Sequence, residues 1–198
     1  MLPGSKSMLP RISPVEPPYP PELQAQFDKL MRGAPPLLLF RTVARNPRVL
    51  QRMMDGSLLD RGSVGLRPRE IVILRTCARC GSEYEWGVHV ALFGAKAQLT
   101  EAELHSTVHG GPGDACWSVE DRLVIGLADQ LHDTSRVDEA LWGELSGRFA
   151  ADQLGELIVL AGLYHVQGRI PLGRNRGRAH RTRRGRHPLR RNPAPHPP

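Results

Sequence analysis

Residues 67–100 read RPREIVILRTCARCGSEYEWGVHVALFGAKAQLT. Pro68 suits a first helical turn, where its missing N–H has no intrahelical acceptor to lose. Ile71, Val72, Ile73 and Leu74 then supply apolar bulk for a buried helix. Gly81 interrupts the run. Ser82-Glu83-Tyr84-Glu85 follows, a Ser-x-x-Glu pattern that reads as a capping box at a new helix start. The spacing predicts that this helix runs through Trp86, His89, Leu92 and Phe93 toward Gly94. A buried helix, a glycine break and a second helix therefore form the centre of the chain.

Outward from there every segment reads as helix. Residues 22–32 (ELQAQFDKLMR) fit a short helix, and residues 35–55 a pair divided at Asn46-Pro47. Thr100 caps a short helix that ends at the Gly110-Gly111-Pro112-Gly113 loop. Ser118 caps one through Val124, Leu127, Ala128 and Leu131, and Asp138 begins another to about Phe149. Asp152 begins the last, with Leu154, Leu157, Ile158, Ala161 and Tyr164 on one side. No segment alternates with period two, so the expectation is an all-α domain of seven or eight helices. Its bounds are residues 22–165, preceded by a proline-rich arm over residues 1–21 and followed by an Arg/Pro-rich tail over residues 166–198.

The formal net charge of +7 comes from that tail. Residues 166–198 hold ten arginines and no acidic residue, so the rest of the chain has 17 basic against 20 acidic side chains. The body is mildly acidic, and a nucleic-acid partner is expected only through the tail. No aromatic residues interleave those arginines, which argues against base stacking. The tail composition cannot build a packed core, so disorder is expected; it resembles a GC-rich gene read out of frame. No stretch approaches the roughly 20 apolar residues of a membrane span. The N-terminus lacks the apolar core of a secretory signal, and three cysteines do not read as a disulfide framework. A cytoplasmic protein with free thiols and no membrane partner is expected. There is no P-loop, dinucleotide fingerprint or Gly-x-Ser-x-Gly elbow, and no second Cys/His pair at finger-like spacing. No cofactor and no metal are expected.

Residues 67–100 resemble the core of the carboxymuconolactone decarboxylase domain of the alkylhydroperoxidase D superfamily. That family places a glutamate on one helix, a Cys-x-x-Cys pair at the start of the next, and a histidine four residues later. Glu70 and His89 match the glutamate and the histidine, while Ser82 and Glu85 stand where the cysteines would be. LFRTVARNP (39–47), WSVEDRLVIGLADQLHD (117–133) and FAADQLGELIVLAGLYH (149–165) extend the likeness over roughly residues 15–165. The resemblance implies an alkylhydroperoxidase D-like helical fold and a homo-oligomer. It also implies a catalytic set of Glu70, Ser82, Glu85 and His89, with Tyr84, Trp86, His132 and His165 around a substrate pocket.

Each residue has a plainer reading. Ser82 and Glu85 serve as a helix cap, Glu70 offsets a helix dipole, and His89 is a hydrogen-bonded core histidine. Tyr84 and Trp86 pack as aromatics, and His132 faces a helix C-terminus. Against these stands the charge pattern: a histidine between two carboxylates is expected to be raised in pKa and to shuttle protons near neutrality.

Cys77-Ala78-Arg79-Cys80 is also a Cys-x-x-Cys, but displaced. On a continuous helix Cys80 would lie about 13 Å from His89 along the axis and face the opposite side. At a helix end the dipole disfavours a thiolate, so two small, semi-buried core thiols is the preferred reading. Three functions follow from these readings. The first is a lyase-like enzyme moving protons on a small organic molecule. The second is an alkylhydroperoxidase antioxidant with peroxiredoxin activity, using Cys77 and Cys80. The third is a non-catalytic helical oligomer with a basic tail.

Overall fold

The structure, a computed structural model, describes residues 12–170. The expectations for residues 1–11 and for the tail from residue 171 onward lie outside them. Among the described residues the protein is all-α, with no strand. The helices are α1 (Pro21–Met31), α2 (Leu38–Val43), α3 (Pro47–Asp55), α4 (Leu66–Arg79), α5 (Glu83–His89), α6 (Glu101–His109), α7 (Val119–Thr134), α8 (Glu139–Ser146) and α9 (Ala151–Gly168). A π-helical turn, Val90–Gly94, continues α5. The described residues thus hold nine α-helices where the sequence suggested seven or eight, and α8 stops before Phe149.

Polar capping residues set several of these bounds. Thr100 and Glu103 form a reciprocal capping box on α6. Asn46, Ser118 and Asp138 accept from the backbone N–H three residues on, at the starts of α3, α7 and α8. The break after α4 is a Schellman closure. Ser82 N–H donates to Cys77 O at 2.8 Å and Gly81 N–H to Ala78 O at 3.0 Å. Gly81 has φ +67°, a left-handed conformation that a side chain would strain.

α4 is the central helix. Every residue from Arg69 to Cys77 is buried, so α4 has no solvent face. It packs on α5, α6, α7 and α9. Burial of Ile71, Val72, Ile73 and Leu74 contributes roughly 1.5–3 kcal/mol each. A smaller cluster around Phe27, Leu39, Val43 and Leu50 joins α1–α3 and takes in Tyr84. Residues 13–15 lie along α2, with Val15 N–H donating to Arg41 O at 3.0 Å.

Arginines on α4 meet aspartates on α7 at a constant offset of 54 residues: Arg67 with Asp121, Arg75 with Asp129, and Arg79 with Asp133. A constant offset of rising numbers means that α4 and α7 run parallel. α9 is parallel to both. Its start reaches the loop before α4, where Gln153 donates to Ser63 O at 3.0 Å, and its end packs Gly168 against Cys80. The three helices therefore end together. No helix among the described residues is long and apolar enough to cross a membrane.

Candidate functional site

Glu70, in the second turn of α4, is fully buried. The adjacent Arg69 donates to its Oε1 from Nε at 3.1 Å, and the second guanidinium contact is 3.0 Å. This leaves Oε2, which lies 2.8 Å from Nδ1 of His89. A carboxylate held by a guanidinium can only accept, so Nδ1 carries the proton. In the tautomer with Nδ1 protonated the lone pair is at Nε2, 2.7 Å from the hydroxyl of Tyr164 on α9, which is placed to donate to it. Arg69, Glu70, His89 and Tyr164 form one continuous buried chain. Phe93, on the π turn, packs on the His89 ring at 5.5 Å, with the Arg69 guanidinium 5.4 Å from the Phe93 centroid.

Glu85 is one turn before His89 on α5 and only 3% exposed. Among the described residues its Oε1 has no hydrogen-bond partner. Burial pushes this carboxyl up to about 7, against a smaller opposing pull from His89. The capping box expected from Ser82-x-x-Glu85 does not form. Ser82 makes no side-chain cap, and its N–H is taken by Cys77 O in the helix closure. Glu85 is thereby free to turn inward.

A cavity of about 350 Å³ adjoins these groups. Glu85, His89, Tyr164 and Gln167 supply polar groups on one side, Arg32 and Ser57 also line it, and the remaining residues, Phe40, Met54 and Leu92 among them, are mostly apolar. Its size and lining suit one small, mostly apolar molecule.

The structure thus brings together three of the four residues expected to be catalytic. Ser82 is the exception: it is buried beside Gly168 and does not line the cavity. The four expected pocket residues do not line it either. The Tyr84 hydroxyl accepts from Leu38 N–H at 2.9 Å, fastening α2 to α5. Trp86 Nε1–H donates to Thr107 Oγ1 at 3.0 Å, fastening α5 to α6. Successive residues of a helix diverge by about 100°, so Tyr84 and Trp86 cannot share the face of Glu85 and His89. His132 and His165 lie at the far ends of α7 and α9, 3.0 Å apart through Nδ1 and Nε2.

Of the displaced cysteines, Cys77 is buried in the main core. Burial, with Glu85, Cys80 and Glu70 nearby, pushes its thiol far above the ordinary range. Cys80 is partly exposed and faces His132, with Sγ 3.9 Å from Nδ1. Neither lines the cavity.

Arg69 is not expected at the site from the sequence, and of the pair Tyr164-His165, which the resemblance places near the core, His165 and not Tyr164 is expected in the pocket. Tyr164 lies 75 residues from His89 and looks like ordinary core on an apolar helix face. Nothing local marks it. No family model, curated protein or solved structure matches the chain.

Proposed function

We propose that this protein is an enzyme that moves protons on a small, largely apolar molecule bearing a carbonyl group. One observation carries the reading: the buried Glu85 carboxyl on the cavity wall, whose Oε1 has no hydrogen-bond partner among the described residues, next to a histidine already oriented by Glu70 and Tyr164. A carboxyl that is half protonated near neutrality is suited to general acid catalysis. Tyr164 supplies the complementary base. Its oxygen takes a proton from the carbon next to the carbonyl as its own proton passes to Nε2 of His89. Glu70 holds the imidazolium so formed. Glu85 gives its proton to the carbonyl oxygen, and the substrate becomes an enol. Reversal with protonation elsewhere gives an isomer, and a carboxyl group at a suitable position would leave as carbon dioxide.

The resemblance to carboxymuconolactone decarboxylases agrees with this chemistry and points to keto acids or lactones. It also implies a homo-oligomer. Val159 and Val166, exposed and two turns apart on α9, are apolar surface that such an assembly would cover.

The test is deuterium incorporation from heavy water into a panel of small ketones, keto acids and lactones, followed by NMR. Exchange is expected to fall about 100-fold or more in Glu85→Gln and in Tyr164→Phe. In the unsubstituted protein it is expected to decline as pH rises through about 7, where Glu85 loses its proton. Exchange indifferent to both substitutions would sink the proposal. So would a silent panel together with a Glu85 carboxyl that titrates, by ¹³C NMR, in the ordinary carboxylate range.

A further inference from the structure

The common C-terminal end of α4, α7 and α9 gathers a second group of reactive side chains, none of which lines the cavity. Cys80 caps α4, His132 is in the last turn of α7, and His165 is in the last turn of α9. We propose that Cys80, His132 and His165 form a zinc-type transition-metal site with three protein ligands and one open position.

The distances approach those of a coordination sphere. Nδ1 of His132 lies 3.0 Å from Nε2 of His165 and 3.9 Å from Sγ of Cys80. The three ligand atoms all lie within 4.8 Å of one another. Zinc bond lengths of about 2.0–2.1 Å to nitrogen and 2.3 Å to sulfur give tetrahedral edges of roughly 3.3 Å and 3.6 Å. Shifts of a few tenths of an ångström at the two measured edges, within rotamer freedom, bring them to those values.

The orientation of the ligands agrees. Nδ1 of His165 lies 2.8 Å from the carbonyl of Ala161 and must donate to it. That bond presents the His165 lone pair at Nε2, toward the other two residues, as the outer hydrogen bond of a metal-bound histidine does. His132 needs only to move its ring proton from Nδ1 to Nε2. Cys80 loses its proton to solvent on binding.

The backbone favours a cation here. Three helices present their C-terminal ends, so their dipoles place partial negative charge around the cluster. They disfavour a bare Cys80 thiolate and favour a thiolate neutralised by metal. The nearest basic group on α4, Arg79, is engaged by Asp129 and Asp133. Gly168 lets α9 close onto this point, since a Cβ there would meet Cys80 Cβ at 3.1 Å. His165 also lines a hollow of about 360 Å³ with Ser135 and Arg169, which leaves room for water or an anionic ligand. One thiolate and two imidazoles are a borderline-soft set that suits zinc better than magnesium or calcium.

The test is a titration of the full chain with Co²⁺, followed by displacement with Zn²⁺. One equivalent is expected to produce thiolate-to-cobalt charge transfer and the strong visible bands of tetrahedral cobalt, both abolished by zinc. Cys80→Ser is expected to remove the charge-transfer band. His132→Gln and His165→Gln should each weaken binding at least tenfold, with helicity unchanged by circular dichroism. Cys116→Ser serves as the control and should leave the spectrum intact. No charge-transfer band, or one that survives Cys80→Ser, overturns the proposal. So does unchanged affinity in both histidine variants. Should any of the three variants lose helicity, histidine NMR of the unsubstituted protein decides: Zn²⁺ must shift the His132 and His165 ring signals, and failure to do so overturns the site.

Discussion

The Tyr164 hydroxyl donates to Nε2 of His89 across 2.7 Å, joining α9 to the end of α5. This bond turns a carboxylate–histidine pair into a three-member proton path that reaches the cavity. Tyr164→Phe is expected to remove the terminal proton acceptor while keeping the ring. Nε2 of a buried histidine is then left unpaired, which costs about 1–3 kcal/mol. Thermal unfolding checks that loss. A melting point unchanged by the substitution would mean that the bond contributes nothing in solution.

Glu85 destabilises the fold when ionised. Its folded-state pKa is raised, from an ordinary 4.5 to about 7, so the native protein holds this proton more tightly than the unfolded chain. Between those values the unfolded state binds fewer protons, and stability falls as pH rises. The full penalty, on the order of 3 kcal/mol, is present above pH 7 and absent below about 4.5. Glu85→Gln is therefore expected to raise the melting temperature at pH 8 and to have little effect at pH 5. Equal effects at both pH values would place the Glu85 carboxyl in the ordinary range.

Arg75 and Asp129 test the parallel register of α4 and α7. Arg75 Nε and Nη2 donate to the two oxygens of Asp129 at 2.6 and 2.9 Å, and Nη1 donates to Thr107 O and Gly110 O. Asp129→Ala leaves a buried guanidinium without its counter-charge, a loss of about 3 kcal/mol or more. In a chain of this size that corresponds to roughly 10 °C in melting temperature. Arg75→Leu combined with Asp129→Leu is expected to recover part of it. If the double variant is no better than Asp129→Ala, the pair is not coupled.

Cys77 is expected to be inert. It has no exposed surface, and its thiol is held protonated by burial. A thiol reagent should label Cys80 and Cys116 in the folded protein and Cys77 only after denaturant is added. Peptide mapping of the labelled protein reads this directly. Fast labelling of Cys77 under native conditions would revive a dithiol role for Cys77 and Cys80.

The all-α class and most helix starts are legible along the chain, because they depend on local chemistry. Thr100, Ser118 and Asp138 cap the helices whose first turns they precede. Gly81 breaks α4 from α5 because only a residue without a side chain takes its backbone angle easily. The same local logic fails at Ser82 and Glu85. There a valid capping pattern is overridden by the closure of α4, which takes the Ser82 N–H and frees Glu85 to face the interior.

By itself, then, the sequence determined which segments coil and which polar residues stand out from an apolar background, since helix periodicity and capping act over a few residues. The resemblance carried by residues 67–100 also singled out Glu70, Ser82, Glu85 and His89, which lie within 20 residues of one another. Only the tertiary structure decided their partners. Tyr164 meets His89 because α9 runs parallel to α4, and Cys80, His132 and His165 converge because three parallel helices end at the same level. Such meetings depend on how helices pack, and the packing of helices is set by ridges, grooves and buried charge pairs far apart in the chain.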